Sequence, residues 1–540
     1  MQLSPTVRRK ALALIAGISA LAISACGIAA SEQADPNRHR SSDWPTWQLN
    51  PNGTRYNANE RAITPSNVDE LELKWAYTFG AVPYARVGSQ PAVSDGVLYV
   101  GGPDGKFVAM DAKSGKTKWT FDANAVTGTL PGGATNQIRD GAAVTGDSVY
   151  FGDSTGRIFA LKKRDGKLRW ATKIDDHPMA AVTSSPLVVG DRLFVGASTL
   201  EAGQFAQNPE YECCTHRGKA VALDTRTGKL VWEYYTVPEP KEAGTWPNGT
   251  KKFAPSGGSV WTSPAADLKS RTIFVGTGQN TTGQAGDINS VIALSMDSGK
   301  VRWKKRMTFP DTYTTMCEQE DPGEYCPGKG TTALDADFGA SANVITIRGK
   351  TLVTIGQKNG MFYAFDARTG RIEWQTELAP GPHGGVGVQW GSVFDGRYLY
   401  GATWWDDPSR LIKIDATNGR VVWETPHPAD GCSTGGAAAH PDICSPIFTP
   451  APSGTPGLIY EGSGDGKFRI FSSRTGEILW TFDAIQDFQG VNGVPGRGSA
   501  LSGNGGAVIA NGMVYVMAGY YPFYPTDKGV VMLAFGLPKK

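Results

Sequence analysis

Residues Ala222–Trp232 read ALDTRTGKLVW. A strand of small and apolar residues delivers Ala-Leu-Asp, Thr227-Gly228 makes a tight turn in which glycine tolerates positive φ, and a second strand buries a tryptophan. The phrase recurs as AMDAKSGKTKW ending at Trp119, ALKKRDGKLRW at Trp170, ALSMDSGKVRW at Trp303 and AFDARTGRIEW at Trp374. Looser copies are KIDATNGRVVW at Trp423 and IFSSRTGEILW at Trp480. Each is preceded by another strand pair, such as GVLYVGGPDGKFVAMD. Four short strands per unit make a propeller blade.

The seven phrases leave two loose ends. Trp75, in LELKWAYTF, has no turn of its own before it, and the C-terminal runs GMVYVMAG and VVMLAFG have no tryptophan strand after them. The sequence therefore predicts an all-β, eight-bladed β-propeller over residues 44–540. Its N-terminal strand completes the last blade, so no sheet edge stays free. The eight repeat tryptophans are scaffold on this reading. Their spacings are 44, 51, 62, 71, 71, 49 and 57 residues, against ~40–45 for a plain blade. The surplus between Trp170 and Trp374 must emerge as loops, where function tends to lie.

A chain of 540 residues exceeds one ordinary core, and 68 glycines agree with many turns. A formal charge of only +2, with no Lys/Arg stripe, argues against a nucleic-acid partner. MQLSPTVRRKALALIAGISALAISACG resembles a secretory signal, and its apolar run is too short for a comfortable membrane span. Ile23-Ser24-Ala25-Cys26 resembles a bacterial lipobox. Residues 1–26 are thus expected to be a signal peptide ending in a lipidated Cys26, and 27–43 a polar tether. The mature chain would be an exported lipoprotein facing the periplasm or cell exterior, held to the membrane by its anchor alone. Losing Arg8, Arg9 and Lys10 takes the charge from +2 to −1.

Six cysteines remain, in a compartment where disulfides persist. Close neighbours suggest Cys213–Cys214, Cys317–Cys326 and Cys432–Cys444 among the formal connectivities. No C-x-x-C-H occurs, so no covalently attached haem is encoded.

The most unusual chemistry lies between Thr183 and Trp232, where two strand runs flank a loop holding Glu201 and Cys213-Cys214. Bridged, adjacent cysteines form a rigid apolar ring, flat enough to cover a planar ligand. Trp261, in GGSVW, stands outside the repeat phrases. On pattern alone it is either core filler or a stacking platform.

These stretches resemble the quinoprotein alcohol dehydrogenases, eight-bladed propellers that use pyrroloquinoline quinone (PQQ) and calcium, and within them the polyvinyl alcohol dehydrogenase branch. The resemblance runs from about Trp44 to the C-terminus, on DWPTWQLNPNGTRYN, NPEYECCTHRGKAVALD, DADFGAS, GQKNGMFYAFD and GCSTGGAAAHPDICSP. It implies that PQQ stacks on Trp261 beneath the Cys213–Cys214 cover. It implies calcium at Glu201, Gln279, Asn280 and Asp335, with Asp335 also the catalytic base. Lys358 would touch the quinone oxygens, Thr183 and Arg139 the PQQ carboxylates, and Gln389 and Trp390 would lie near the cofactor. Asp337 is expected as a supporting acid, and His383, His427 and His440 are given no role.

The residue types suit that chemistry. A flat tricarboxylate needs stacking surfaces and cationic or hydroxyl donors around its rim. Calcium takes hard oxygen ligands and polarises a carbonyl, and an aspartate can take the alcohol proton. Four departures stand beside this fit. Gln279 occupies the family's Asn position in GTGQN, Gly88 replaces an acid, Asp335 follows Leu334 rather than Trp, and the vicinal cysteines sit in the Glu201 loop. The last feature is shared by the polymer-oxidising branch. The resemblance implies oxidation of secondary alcohols or a hydroxylated polymer such as polyvinyl alcohol, with electrons passing to an external cytochrome c or quinone. The rival reading is a non-catalytic propeller lipoprotein resembling the outer-membrane assembly scaffolds that share this repeat.

Overall fold

The computed structural model describes residues 42–539, apart from 80–87, 129–135, 319–322, 329–332, 380–386, 405, 502, 504 and 520–529. Cys26 with its lipobox, most of the expected tether and His383 lie outside the described residues. Among those described, no helix is long and apolar enough to cross a membrane.

Eight antiparallel sheets form the blades, seven of them four-stranded and that of blade 3 five-stranded through the added strand Ala180–Ala181. Their innermost strands are Ala92–Ser94, Ala143–Thr145, Leu187–Val189, Ala265–Asp267, Asn343–Ile347, Val393–Phe394, Ser453–Thr455 and Val508–Ala510, for blades 1 to 8. Blade 8 takes its outer strand from the other end of the chain. Glu72–Phe79 pairs with Val530–Gly536, from Glu72 opposite Gly536 to Phe79 opposite Val530. The expected closure by the N-terminal strand is thus the observed one.

The repeat phrase has a definite packing role. Seven of the eight repeat tryptophans, all but Trp480, donate their indole N–H to a turn carbonyl of the next blade. Trp170 donates to Thr225 O at 3.0 Å, Trp232 to Met296 O at 3.0 Å and Trp303 to Ala367 O at 2.9 Å. Trp75 of blade 8 does the same to Ala112 of blade 1, at 3.2 Å. The turn glycine is required twice over. Gly228 has φ 71°, and a Cβ there would meet Trp170 Cδ2 at 2.6 Å.

A second device joins the blades at the axis. The segment from Ser42 to Asn57 winds past the inner strands, so packing begins within the span expected as tether. Trp44 pairs with Val93 of blade 1. Carbonyls of Pro45, Pro51, Asn52, Thr54 and Arg55 accept from Val144, Ala266, Val344, Phe394 and Gly454 of blades 2, 4, 5, 6 and 7, at 2.7–2.9 Å. Asn57 Nδ2 donates to Ile509 O of blade 8 at 2.9 Å. The buried Arg55 guanidinium anchors the segment through Trp47 O, Pro452 O and Ser453 Oγ, each at 2.8 Å.

Blade 7 holds a buried charged group with no part in the site described below. Asp465 bonds Arg469 at 2.5 Å, and His427 lies 3.6 Å from Asp465. Burial pushes the His427 imidazole down to about 4, against the pull of Asp465.

Two predictions follow from this packing. Gly228→Ala should lose on the order of 2–4 kcal/mol in urea unfolding, because the methyl group meets the Trp170 ring in a left-handed backbone position. His427 binds its proton more weakly folded than unfolded, so its contribution is present above about pH 6.5 and fades as pH falls toward about 4, by on the order of 3 kcal/mol at most. His427→Phe should flatten the pH dependence of unfolding in that window.

Candidate active site

The repeat sets the height of the site. Four residues before the innermost strand of blades 1 to 7 stand Gly88, Arg139, Thr183, Trp261, Gly339, Gln389 and Thr449. These residues occupy the same register position in seven successive blades. Just beneath, a relay of hydrogen bonds fixes neighbouring blades. Gly141 N donates to Ser185 Oγ at 2.7 Å, Ser185 N to Ser263 Oγ at 2.9 Å and Ser263 N to Ser341 Oγ at 3.0 Å.

Around Trp261 the structure gathers residues far apart in sequence. The indole N–H donates to Asp337 Oδ2 at 2.9 Å, and the other Asp337 oxygen accepts the Gln279 backbone N–H. Lys358 Nζ donates to Asp335 Oδ2 at 2.7 Å, lies 3.7 Å from Asp337 and sits 5.4 Å from the Trp261 ring centroid. Trp390 meets Trp261 edge-on at 5.1 Å, and Thr183 Oγ1 donates to Trp261 O at 3.2 Å. Gly339 leaves the indole room, since a Cβ there would meet Trp261 Cη2 at 3.0 Å.

Negative charge exceeds positive in this cluster. Burial pushes the Asp337 carboxyl up to about 7; Lys358 pulls it down, while Asp335 and Asp311 add to the rise. Burial raises Asp311 as well, and Asp335 adds to the rise, while hydrogen bonds from Asn280 (its backbone N–H at 2.8 Å and its side chain) and from Tyr313 N pull it down. Hydrogen-bond complementarity turns the Gln279 amide nitrogen toward Asp337 Oδ2 at 2.7 Å. Sequence reasoning missed Asp311. Its only signal is Phe-Pro-Asp after a tryptophan strand, which reads as an ordinary turn.

Glu201, Cys213 and Cys214 form a second cluster, all fully buried. The cysteines are bridged, as are Cys317–Cys326 and Cys432–Cys444, and the Cys213–Cys214 peptide is cis. Glu201 opens the helix Glu201–Gln207. Its Oε1 accepts from Thr215 N at 2.8 Å and Tyr211 OH at 3.3 Å, and Oε2 accepts from His216 N at 2.9 Å. His177 Nε2 lies 3.4 Å from Oε1. Burial pushes the Glu201 carboxyl up, but His177 and the two amides hold it below the usual glutamate range. Among the described residues, none of its polar contacts is with Asp311, Asp335 or Asp337. The two clusters are neighbours through one short path, in which Gly257 accepts from Gly218 and Gly258 donates to Gln279 O.

A family model described as the glucose/ethanol/alcohol dehydrogenase β-propeller domain matches residues 44–314. The polyvinylalcohol dehydrogenase of a Pseudomonas species is 32% identical over 493 residues, which is 88% of this chain and 73% of that protein. The chain belongs to the PQQ-dependent alcohol dehydrogenase family. The polyvinylalcohol dehydrogenase of Sphingopyxis sp. strain 113P3 is likewise 32% identical, over 89% of this chain and 73% of its own length. Among solved structures, the quinohemoprotein alcohol dehydrogenase ADHIIG of Pseudomonas putida HK5 superposes with a TM-score of 0.67 at 20% identity, over 92% of this chain and 81% of that one. A second model, described as the outer membrane protein assembly factor BamB, matches residues 358–528.

In this dehydrogenase the long tryptophan spacings have a destination. The helix Glu201–Gln207, the hairpin Lys241–Ala254 and the Cys317–Cys326 insert bring Phe205, Trp246, Met316 and Tyr325 together against the vicinal disulfide. Trp246 lies 4.8 Å from Phe205 and 5.4 Å from Tyr325 between centroids, and its Nε1 donates to Cys213 O at 3.1 Å. The inserts thus form an aromatic cap over the disulfide loop. Trp246→Ala should cost on the order of 3 kcal/mol. The loss should appear as faster hydrogen exchange in the helix Glu201–Gln207, with the blades unaffected.

Proposed function

We propose that this PQQ-dependent dehydrogenase oxidises secondary alcohols, including hydroxylated polymers of the polyvinyl alcohol type, with calcium at its site. The observation that carries the reading is the contact network of Trp261, Asp337, Asp335 and Lys358. It offers a flat aromatic face kept clear by Gly339, a cation and a hydroxyl at the rim, and buried carboxylates in excess of cations. Those features suit a flat polyanion and a hard cation. Asp335 and Asp337 would hold the cation, with an amide oxygen from Asn280 or Gln279 and with Asp311 close by.

PQQ, when bound, supplies the hydride acceptor, which the cation polarises. The chain's own residues do the rest. Trp261, held in orientation by Asp337, supplies one stacking face, and the Cys213–Cys214 ring supplies the other. Lys358 places its charge beside the reacting oxygens, with Arg139 and Thr183 further around the same level and Gln389 and Trp390 completing the wall. Asp335 takes the alcohol proton as hydride leaves the carbinol carbon. The electrons then pass to an external acceptor, a cytochrome c or a quinone. The N-terminal sequence supports export and lipidation at Cys26.

Reconstitution with PQQ and calcium, followed by a dye-linked assay on short secondary alcohols and polymer, tests this. Asp335→Asn should lower kcat by about a hundred- to ten-thousandfold and, because Asp335 is also placed on the cation, weaken calcium binding and with it PQQ affinity. Trp261→Ala should weaken PQQ binding by about tenfold or more. An unchanged kcat in Asp335→Asn, or no turnover of any alcohol by the loaded parent, would contradict the proposal. The second result would favour the assembly-scaffold reading.

A further inference from the structure

We propose that a small recess under the aromatic cap selects secondary alcohols, by holding the second carbon arm of the carbinol and the hydroxyl next along it. The inference rests on the functional reading above and adds to it the residues that set substrate preference.

The recess is lined by Phe205, Trp246, Met316 and Tyr325 together with Thr281 and Thr315. Its place in the site follows from its other neighbours in the chain. Ala202, also in the lining, follows Glu201; Thr281 follows Asn280; and Thr314 stands three residues after Asp311. Asn280 N in turn donates to Asp311 at 2.8 Å, so the segments that carry both acidic clusters contribute to one wall. The empty space is about 200 Å³ with its open mouth included. Pockets that take a whole drug-sized ligand run to roughly 300–1,000 Å³, so this one suits a single short carbon arm. The helix Glu201–Gln207 and the Cys317–Cys326 insert lie outside the blade sheets, and the hairpin Lys241–Ala254 is a sheet of its own. Ring closure does not account for them.

The lining has two characters. Phe205 and Tyr325 pack on Trp246 with centroids at 4.8 and 5.4 Å, and the indole N–H is taken by Cys213 O at 3.1 Å. That wall therefore offers apolar surface. Thr314 Oγ1 is also engaged, donating to Tyr325 O at 3.4 Å. The half-buried Thr281 and Thr315 hydroxyls, by contrast, have no hydrogen-bond partner among the described residues. A hydroxyl both donates and accepts, so an apolar wall with two open hydroxyls matches a carbon chain that itself carries hydroxyls. A primary carbinol has one carbon arm and leaves the recess empty. A secondary carbinol has two, and one further carbon buried in such a pocket is worth about 10–200-fold in kcat/KM.

The test uses the full chain loaded with PQQ and calcium, in a dye-linked assay on n-butanol, sec-butanol and pentane-2,4-diol. Ala202→Leu adds a branched side chain to the recess and should lower the ratio of kcat/KM for sec-butanol over n-butanol about tenfold. Valine at both Thr281 and Thr315 keeps the shape and removes the hydroxyls. It should lower the ratio for the diol over sec-butanol about three- to tenfold. The proposal is overturned if Ala202→Leu keeps the parent ratio, whether both rates fall or neither does, or if the double valine variant keeps the parent's diol preference. Should Ala202→Leu fail to fold, Thr315→Leu fills the recess from another element and is read in the same way. A parent that turns over no alcohol would refute the functional reading instead. The Trp246 emission, taken as the difference from Trp246→Phe, then decides the recess alone. Quenching by pentane-2,4-diol that Ala202→Leu abolishes supports it, whereas no quenching, or quenching that the variant keeps, overturns it.

Discussion

Seven of the eight repeat tryptophans lie on the turn of the following blade, and the ring depends on that contact. A buried indole brings a large apolar area and one N–H that needs a partner, and the neighbouring turn carbonyl meets both demands at once. Because the contact points to the next blade, the pattern ends only by closing. Trp75, donated by the N-terminal strand, performs for blade 1 what Trp170 performs for blade 3. The pairing of Glu72–Phe79 with Val530–Gly536 then removes the last sheet edge. The axial segment from Ser42 to Asn57 adds a second closure from within.

A closed, regular ring is what allows a site to be built from separate blades. In blades 1 to 7 the residues four positions before the inner strand share one register position, so Arg139, Thr183, Trp261 and Gln389 are related by the repeat before any specific contact forms. Specific contacts then distinguish the blades. Trp261 is held by Asp337, and the Lys358 ammonium lies between two carboxylates. Net negative charge in a buried place is costly unless a cation or a proton compensates it. That imbalance, more than any one side chain, is what supports the proposal of a binding site at the Trp261 cluster.

Much of this was legible in the sequence, for identifiable reasons. The turn-and-tryptophan phrase carries its own physics, so blade number and the closing strand could be read from it. Trp261 stood out because it breaks the repeat, and the three disulfides because their cysteines are near neighbours. What could not be read depends on contacts between distant residues. The Ser42–Asn57 segment looked like a family phrase and a tether, since its partners, such as Val344 and Ile509, lie hundreds of positions away. Asp311 resembled a turn residue until the fold brought it beside Asn280. Glu201 shows the same limit. Pattern identifies an acid in a suggestive place, but a loop folding back more than ten residues later decides which groups surround its oxygens.

The central claim is that the Trp261 cluster is a joint site for PQQ and a cation. Calorimetric titration of the purified chain with PQQ, with calcium and then with a chelator, tests it most directly. The account predicts one PQQ per chain, bound tightly only when calcium is present and accompanied by quenching of tryptophan fluorescence. Equal PQQ binding with and without calcium, or none in either condition, would contradict it.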